Sequence, residues 1–287
     1  MRLPTRLKKM RAGIVSRTDK DGSLELTREI IDYLESLDIE VNVETDTALA
    51  LELQNHNTNL QDLDGDFIIT VGGDGTILKT AMEMKDPDTL LFGVNMGRRG
   101  FLAEIQPEEY KESIQRVVKG DYFVEEMLKV HSWGLNMDDS FPDALNELLV
   151  ASSLPSKMLL TRLSIDGEHI TDIQSDGIIF SSPAGSTAYN MSAGGAIVAP
   201  EVAGFSLTAI CPYSYFNSIV VPPGSTVRIE LMKERSDPVA IIDGRHYIPL
   251  KSRSVIEATV SKNKARFIRF KSFYSRINRR ILHLRSQ

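Results

Sequence analysis

The chain has 287 residues, 42% hydrophobic and 25% charged, with a formal net charge of −6. That length and composition suit one large or two ordinary globular domains with a sizeable core, and the acidic balance argues against general nucleic-acid binding. The single cysteine, Cys211, excludes a disulfide framework within the chain and fits a reducing compartment. The histidines, His56, His131, His169, His246 and His283, are scattered, and none pairs at metal-ligand spacing. No apolar run approaches the ~20 residues of a membrane-spanning helix. The start, MRLPTRLKKMRAG, is basic and lacks the apolar stretch of a signal peptide. It reads as a surface extension, with an organellar address as the alternative, and a cytoplasmic location is expected.

In chain order, Ala12–Ser16 reads as a first strand, and Ser23–Leu37 as an amphipathic helix on the spacing of Leu24, Leu26, Ile30, Ile31, Leu34 and Leu37. Val41–Val43 is a second strand, followed by a polar region rich in Asn and Gln. Phe67–Val71 is the next strand, Thr89–Val94 another, and Pro107–Val118 a helix with proline near its start. Alternating strands and helices imply a parallel sheet covered by helices, which binds ligands at the carboxyl ends of its strands. After Gly120 helical periodicity becomes scarce. Leu159–Ile165, Gly177–Phe180, Phe205–Ile210, Thr226–Leu231, Val239–Ile242 and Val255–Val260 read as strands of an antiparallel half, and Asp166-Gly167 as a hairpin turn. The expected architecture is an α/β domain over 1–120 joined by the tail 261–287, and a mostly β domain over 121–260. The tail reads as helix. Its basic residues suit a solvated face or a packing arm, with subunit contact or attraction of anionic ligands as the functional alternative.

The most informative stretch is Phe67–Met84, FIITVGGDGTILKTAMEM: strand, glycine turn, helix. Such a unit sets backbone N–H groups and the positive end of a helix dipole beside one carboxylate, Asp74. Gly72, Gly73 and Gly75 leave room for a phosphate to approach the backbone, with Thr76 at the end of the turn. The turn is not a P-loop, and Leu78 stands where the dinucleotide fingerprint needs its third glycine. The plainer reading is a tight turn with Asp74 as helix N-cap. A second glycine loop, Asn95–Phe101, follows the next strand.

Asp176–Gly195, DGIIFSSPAGSTAYNMSAGG, is the other informative block. Its small residues let a planar ligand approach. Ser186 and Thr187 offer hydroxyls, and Tyr189, in a single helical turn, offers a ring to stack on a base or sugar. The plainer reading is a β-to-helix turn with a core tyrosine. Asn146-Glu147, ahead of the apolar Leu148-Leu149-Val150, pairs an amide with a carboxylate, which suits two vicinal ribose hydroxyls; the plainer reading is a solvated strand start.

GGDGT at Gly72–Thr76, NMGRRGFLA at Asn95–Ala103, Asn146-Glu147, the Asp176–Gly195 block and Asp243-Gly244 occur in that order. Together they resemble the NAD kinases in their short prokaryotic-type form, over roughly Ala12 to Phe270. GGDGT alone is shared with lipid kinases and phosphofructokinases; GSTAY downstream of Asn-Glu is more specific. The resemblance implies a Rossmann-like α/β domain followed by an antiparallel β domain. It implies phosphoryl transfer from ATP or inorganic polyphosphate, with Mg²⁺ or another divalent metal, to the 2′-hydroxyl of the adenosine ribose of NAD, giving NADP. It also implies a homodimer or homotetramer, with no nucleic-acid or membrane partner.

On matching positions, the resemblance makes Asp74 the proton acceptor, and Gly72, Gly73, Gly75 and Thr76 the border of the donor phosphates. Asn146 and Glu147 hold the adenosine part of NAD, and Asp176 contacts the dinucleotide. Thr187, Ala188 and Tyr189 line the adenine site, with Asn190 and Ser192 at its edge, and Asp74, Gly75 and Ala184 are also among the NAD-binding positions. Lys79 and Lys157 stand where a basic or polar contact is placed. Arg245 stands where Gln is frequent, and Ala184 where Thr or Ser is commonest, so a hydroxyl is missing there. Two alternatives remain at this stage: a lipid kinase of the GGDG class, and a non-catalytic NAD(P)-binding sensor.

Overall fold

The computed structural model describes residues 9–53, 57–97, 100–135, 137, 141–154, 157–232 and 237–282. Arg98 and Arg99 of the second glycine loop, His56, His283, Arg285 and the basic start before Lys9 lie outside the described residues. From the N-terminal side run β1 (Arg11–Ser16), α1 (Asp21–Ser36), β2 (Glu40–Glu44), α2 (Thr45–Ala50), β3 (Asn57–Thr58), β4 (Phe67–Gly72), α3 (Asp74–Glu83), β5 (Leu90–Asn95) and α4 (Tyr110–Val118). Next come β6 (Phe123–Gly134), β7 (Glu147–Ser152), β8 (Leu159–Ile165), β9 (Glu168–Ser175), β10 (Gly177–Ser181), α5 (Tyr189–Ser192), β11 (Phe205–Ile210) and β12 (Ile219–Val221). The remainder is β13 (Val227–Leu231), β14 (Pro238–Ile242), β15 (His246–Pro249), β16 (Val255–Arg269) and α6 (Phe273–Leu282). The chain forms two units, Met1–Glu125 with Ala265–Gln287, and Glu126–Lys264.

In the first unit the strands lie in the order β3-β2-β1-β4-β5, all parallel, and Arg266 and Phe267 of β16 pair in parallel with Leu90 and Leu91 of β5. Every residue of β4 is buried, as expected for a strand covered on both faces. The apolar stripe of α1 supplies Leu26, Ile30, Ile31 and Leu34 to the core, α4 supplies Ile114 and Val117, and the strands meet them with Ile14, Val43, Ile69 and Phe92. Register brings Val71 beside Ser16 and Gly72 beside Asn95, so the loops after β1, β4 and β5 leave from one edge. That edge carries both glycine loops.

The second unit contains a six-stranded antiparallel sheet, β12-β11-β10-β7-β14-β15, packed around Phe180 and Phe205, whose rings stack at 5.3 Å. It also contains an antiparallel set in which β13 lies between β8 and the Val255–Ala258 part of β16, and β8 pairs with β9. The sequence reading names no strand at β6, β12 or β15, and two further stretches depart from it. The polar region after β2 holds α2, whose N-cap Glu44 accepts the Thr47 N–H at 2.9 Å; six residues are too few to show helical periodicity. The tail does not start as helix: Ser261–Arg269 continues β16, because Ala265, Phe267 and Arg269 alternate into the interior beside β5, and helix begins only at Phe273. Arg269 and Arg276 of the basic run are buried, so this part of it is a packing arm and not a solvated face.

The β8–β9 hairpin turns through Asp166 at φ +52° and Gly167 at φ +85°, the two left-handed positions of a type I′ turn. Asp166 also accepts the Thr226 N–H at 2.8 Å. Gly167→Ala is expected to lower the stability by about 1 kcal/mol, read as a shift in urea midpoint with unchanged slope.

Candidate functional site

In the first unit, β4 ends at Gly72, Gly73 is the N-cap of α3, and Asp74 opens the helix. Asp74 therefore does not cap its own helix. Its carboxylate turns to the second glycine loop and accepts the N–H of Phe101 at 2.7 Å and of Leu102 at 3.1 Å. Gly100 is required for this approach, since a Cβ there would come 2.6 Å from Asp74 Oδ1. Asp74 stays partly open to solvent, and Gly75 is exposed. The turn glycines differ in their surroundings. A Cβ on Gly72 would lie 2.3 Å from Thr76 Oγ1, whereas a Cβ on Gly73 meets nothing within 4 Å. Gly72 thus serves the fold of the turn, and Gly73 leaves free space above it. Lys79 is engaged elsewhere: its ammonium sits 3.2 Å from both Glu44 Oε1 and Asp46 Oδ2, which hold it charged. Glu44, buried at the end of β2, would lose its cation if Lys79 turned to a ligand.

In the second unit, Asn146 and Glu147 are both buried, which overturns the solvated-strand-start reading. Asp243 holds them from below the backbone: its carboxylate accepts the N–H groups of Leu145 at 2.7 Å, Asn146 at 2.8 Å and Glu147 at 2.9 Å. The small-residue turn presses on the same segment. Ser182 donates its N–H to the Asn146 carbonyl at 2.8 Å and its hydroxyl to the Leu145 carbonyl at 2.5 Å, and a Cβ on Gly185 would come 2.2 Å from the Asn146 carbonyl oxygen. With their backbones fixed, Asn146 Oδ1 and Glu147 Oε2 are left buried and without a hydrogen-bond partner. Each such atom costs ~1–3 kcal/mol, a penalty that hydroxyl groups of a ligand would relieve. Burial, and then the charge of Asp243, push the Glu147 carboxyl up to about 8. Asp243 is itself raised by burial, against the lowering effect of its three N–H donors and Lys129.

Other expected contacts are placed differently. The Ser186 hydroxyl is buried, donates to the Pro183 carbonyl at 2.6 Å and accepts the Val198 N–H at 2.9 Å, so it braces the turn and is not offered to a ligand. Asn190 is buried too. Its amide donates to the Ala196 carbonyl at 3.0 Å and accepts from Thr208 Oγ1 at 2.7 Å, so it secures the chain after α5. Thr187 donates to the Ala184 carbonyl at 3.1 Å, and both residues are buried. Ala188 is half-buried, while Tyr189 and Ser192 are exposed. Tyr189 is therefore not a core tyrosine, and its ring is available to a ligand. Lys157, Asp176 and Arg245 are exposed, their N–H groups donating to the carbonyls of Leu154, Ile210 and Ile242. The sequence reading used Asp243-Gly244 only as a late motif and missed its clamp on Leu145–Glu147. A DG pair signals a turn, and a carboxylate directed 96 to 98 residues back along the chain leaves no local pattern.

The first unit carries a parallel sheet that ends in a glycine turn beside a carboxylate, and the second carries buried amide and carboxyl oxygens without partners, features that suit a nucleotide phosphotransferase. Two family models match, the ATP-NAD kinase N-terminal domain over residues 12–122 and the ATP-NAD kinase C-terminal domain over 145–270. The NAD kinase of Methanothermobacter thermautotrophicus is 34% identical over 95% of this chain and 96% of its own length. That of Methanosphaera stadtmanae is 37% identical over 95% and 99%. Among solved structures, an NAD kinase from Archaeoglobus fulgidus in complex with ATP matches with a TM-score of 0.76 and 30% identity, covering 97% of this chain and 100% of that one. Yeast NADH kinase complexed with NADH shares the fold, with a TM-score of 0.84 at 24% identity over 98% and 89%. The chain belongs to the NAD kinase family and is an enzyme that phosphorylates NAD. Nothing in these comparisons supports the lipid-kinase or sensor alternatives.

The raised carboxyl of Glu147 has a measurable sign. Unfolded, it loses its proton near 4.5, and folded near 8. Between those values the folded state binds the extra proton, so this group makes stability fall as pH rises through the window, by at most ~1.4 kcal/mol per pH unit. Glu147→Gln removes that slope. In urea titrations from pH 5 to 8, the variant is expected to gain steadily on the native protein.

Proposed function

We propose that the enzyme transfers the terminal phosphoryl group of ATP to the 2′-hydroxyl of the adenosine ribose of NAD, with Asp74 accepting the hydroxyl proton. The new bond joins the 2′-oxygen to phosphorus, the bond from that phosphorus to the bridging oxygen breaks, and ADP leaves with the electron pair. The observation that carries the acceptor side is the pair of buried, unpartnered atoms, Asn146 Oδ1 and Glu147 Oε2. They match the two vicinal hydroxyls of a ribose. Thr187, Ala188 and Tyr189 would line the adenine, with Ala184 beneath it and Ser192 at its rim; the exposed ring of Tyr189 suits stacking. Asp176, Lys157 and Arg245 are exposed, and contacts from them to the dinucleotide would be made at the surface. Lys79 and Asn190 support the reading least, since both side chains are already engaged.

Asp74 is supported as the proton acceptor by its setting. It is partly open, stands at the start of a helix beside a glycine turn, and is held in one orientation by two N–H donors. A loose phosphoryl-transfer transition state does not require a strong base, because the hydroxyl can lose its proton late. The backbone of Gly73, Gly75 and Thr76 would border the donor phosphates, Gly73 offering open space and Gly72 keeping the turn closed. Among the described residues no three His, Cys, Asp or Glu side chains cluster as a metal site. A divalent ion such as Mg²⁺ would accordingly be carried by the donor phosphates and water, with Asp74 the nearest carboxylate of the turn. When bound it would neutralise charge on the transferred group. We also propose a homodimer or homotetramer acting in the cytoplasm; among the described residues no helix is long and apolar enough to cross a membrane.

Asp74→Asn is expected to lower kcat for NADP formation by ~10²–10⁴-fold while calorimetry shows NAD binding little changed; a fully active variant would remove Asp74 from this role. Parallel reactions with ATP and with polyphosphate identify the donor, and chelation of divalent metal is expected to stop turnover. Gly73→Ala is expected to keep native stability but raise KM for the donor. Gly72→Ala, which forces a Cβ onto Thr76, is expected to cost ~1–3 kcal/mol of stability instead.

A further inference from the structure

A cluster of buried charge in the first unit ends on the backbone that holds Asp74. Arg269, at the end of β16, is fully buried and heads the largest buried side chains of the protein. Its Nη1 donates to the Leu102 carbonyl at 2.7 Å, and Leu102 in turn gives its N–H to Asp74 Oδ1 at 3.1 Å. Leu102 is thus gripped at both ends, by the carboxylate on one side and the guanidinium on the other. Arg269 is aimed by its neighbours: Nε donates to Glu125 Oε2 at 2.7 Å, Nη1 lies 3.3 Å from Glu104 Oε2, and the guanidinium sits 4.6 Å from the centre of the Phe267 ring. Glu104 Oε1 accepts the N–H groups of Phe270 at 2.8 Å and Lys271 at 3.0 Å, and Arg276 closes the group on Glu125 at 2.6 and 2.8 Å.

A buried ion cluster is weak ground for stability, since desolvation offsets most of the attraction and apolar residues of similar volume often serve as well. What an apolar core lacks is direction. A guanidinium fork fixes a carbonyl and a carboxylate at once, in one plane. The carbonyl fixed here belongs to the residue that aims the proposed proton acceptor. We propose that Arg269 is a positioning residue for phosphoryl transfer. Through Leu102 it holds the Phe101 and Leu102 N–H groups where they orient Asp74, and Glu104, Glu125 and Arg276 hold Arg269. The inference rests on the assignment of Asp74 as proton acceptor. It makes the tail from Ala265 onward part of the catalytic apparatus without any contact to substrate.

The test uses the full chain and two substitutions. Arg269→Lys keeps the charge but cannot reach both the Leu102 carbonyl and Glu125. Arg269→Met with Glu125→Gln removes one charge of each sign, leaves Arg276 beside Glu104, and keeps the experiment decisive if the lysine variant folds poorly. Turnover is normalised to NAD-binding sites counted by calorimetry, which discounts unfolded protein. The expected result is kcat per site lower by ~10–10²-fold, the scale of a small misplacement of a reacting group, with KM for NAD within about twofold of native. A merely structural arginine would lower the melting temperature and the number of sites but leave kcat per site unchanged, and that outcome overturns the proposal. Asp74→Asn is run alongside. If it is fully active, the assignment beneath the proposal fails; if it is inactive while the folded Arg269 variants keep native kcat per site, only the proposal fails.

Discussion

Carboxylates that accept backbone N–H groups hold the functional loops of this enzyme. Asp74 takes two from the loop after β5, Asp243 takes three ahead of β7, and Glu104 takes two from the segment after β16. Each replaces the hydrogen bonds that a loop cannot make to a neighbouring strand, and each is charge-assisted, so it is worth more than a neutral bond. Such an anchor also fixes peptide orientation, which side-chain packing alone does weakly. Where Asp243 fixes the backbone, the side chains of Asn146 and Glu147 are committed to buried positions without partners. The unmet polar atoms are therefore a consequence of the anchor and not a local packing fault.

Much of this fold could be read in the chain because burial on both faces leaves unbroken apolar runs. β1, β4 and β5 stood out for that reason, and the hairpin at Asp166-Gly167 for its backbone requirement. The short α2 was not legible, since it is set by one carboxylate cap and has no periodic stripe. The strand end Ser261–Arg269 was misread as helix because its lysines and arginines hide an alternation visible only against β5. The candidate site divides in the same way. Asp74, Asn146 and Glu147 stand out as candidates from residue type and resemblance. Which hydroxyls and amides stay available is not legible there: Ser186 and Asn190 look like ligand contacts in sequence and prove to be braces of the turn and of the chain after α5. Side-chain polarity tells what a residue can bond to, and only the surrounding backbone tells what it is already bonded to.

The glycines make the same distinction at atomic scale. Gly100, Gly185 and Gly72 are small because something lies where a Cβ would go: a carboxylate oxygen, a backbone carbonyl and a threonine hydroxyl. Gly73 is small with open space above it. The first three explain how the turns of each unit are built, and the fourth leaves open space at the glycine turn of the first unit.

The first unit is discontinuous in the chain, and this has a consequence for synthesis. Its strand segment beside β5 and the guanidinium of Arg269 come after the whole of Glu126–Lys264. A nascent chain therefore completes the second unit while Glu104 and Glu125 still lack their arginine partners and Leu90 and Leu91 of β5 still present an unpaired edge. At ribosomal speeds of about 5–20 residues per second, that exposure lasts on the order of ten seconds. The α/β unit, although first to emerge, is the last to close, and the Leu102 peptide that donates to Asp74 gains its guanidinium partner only when Arg269 arrives.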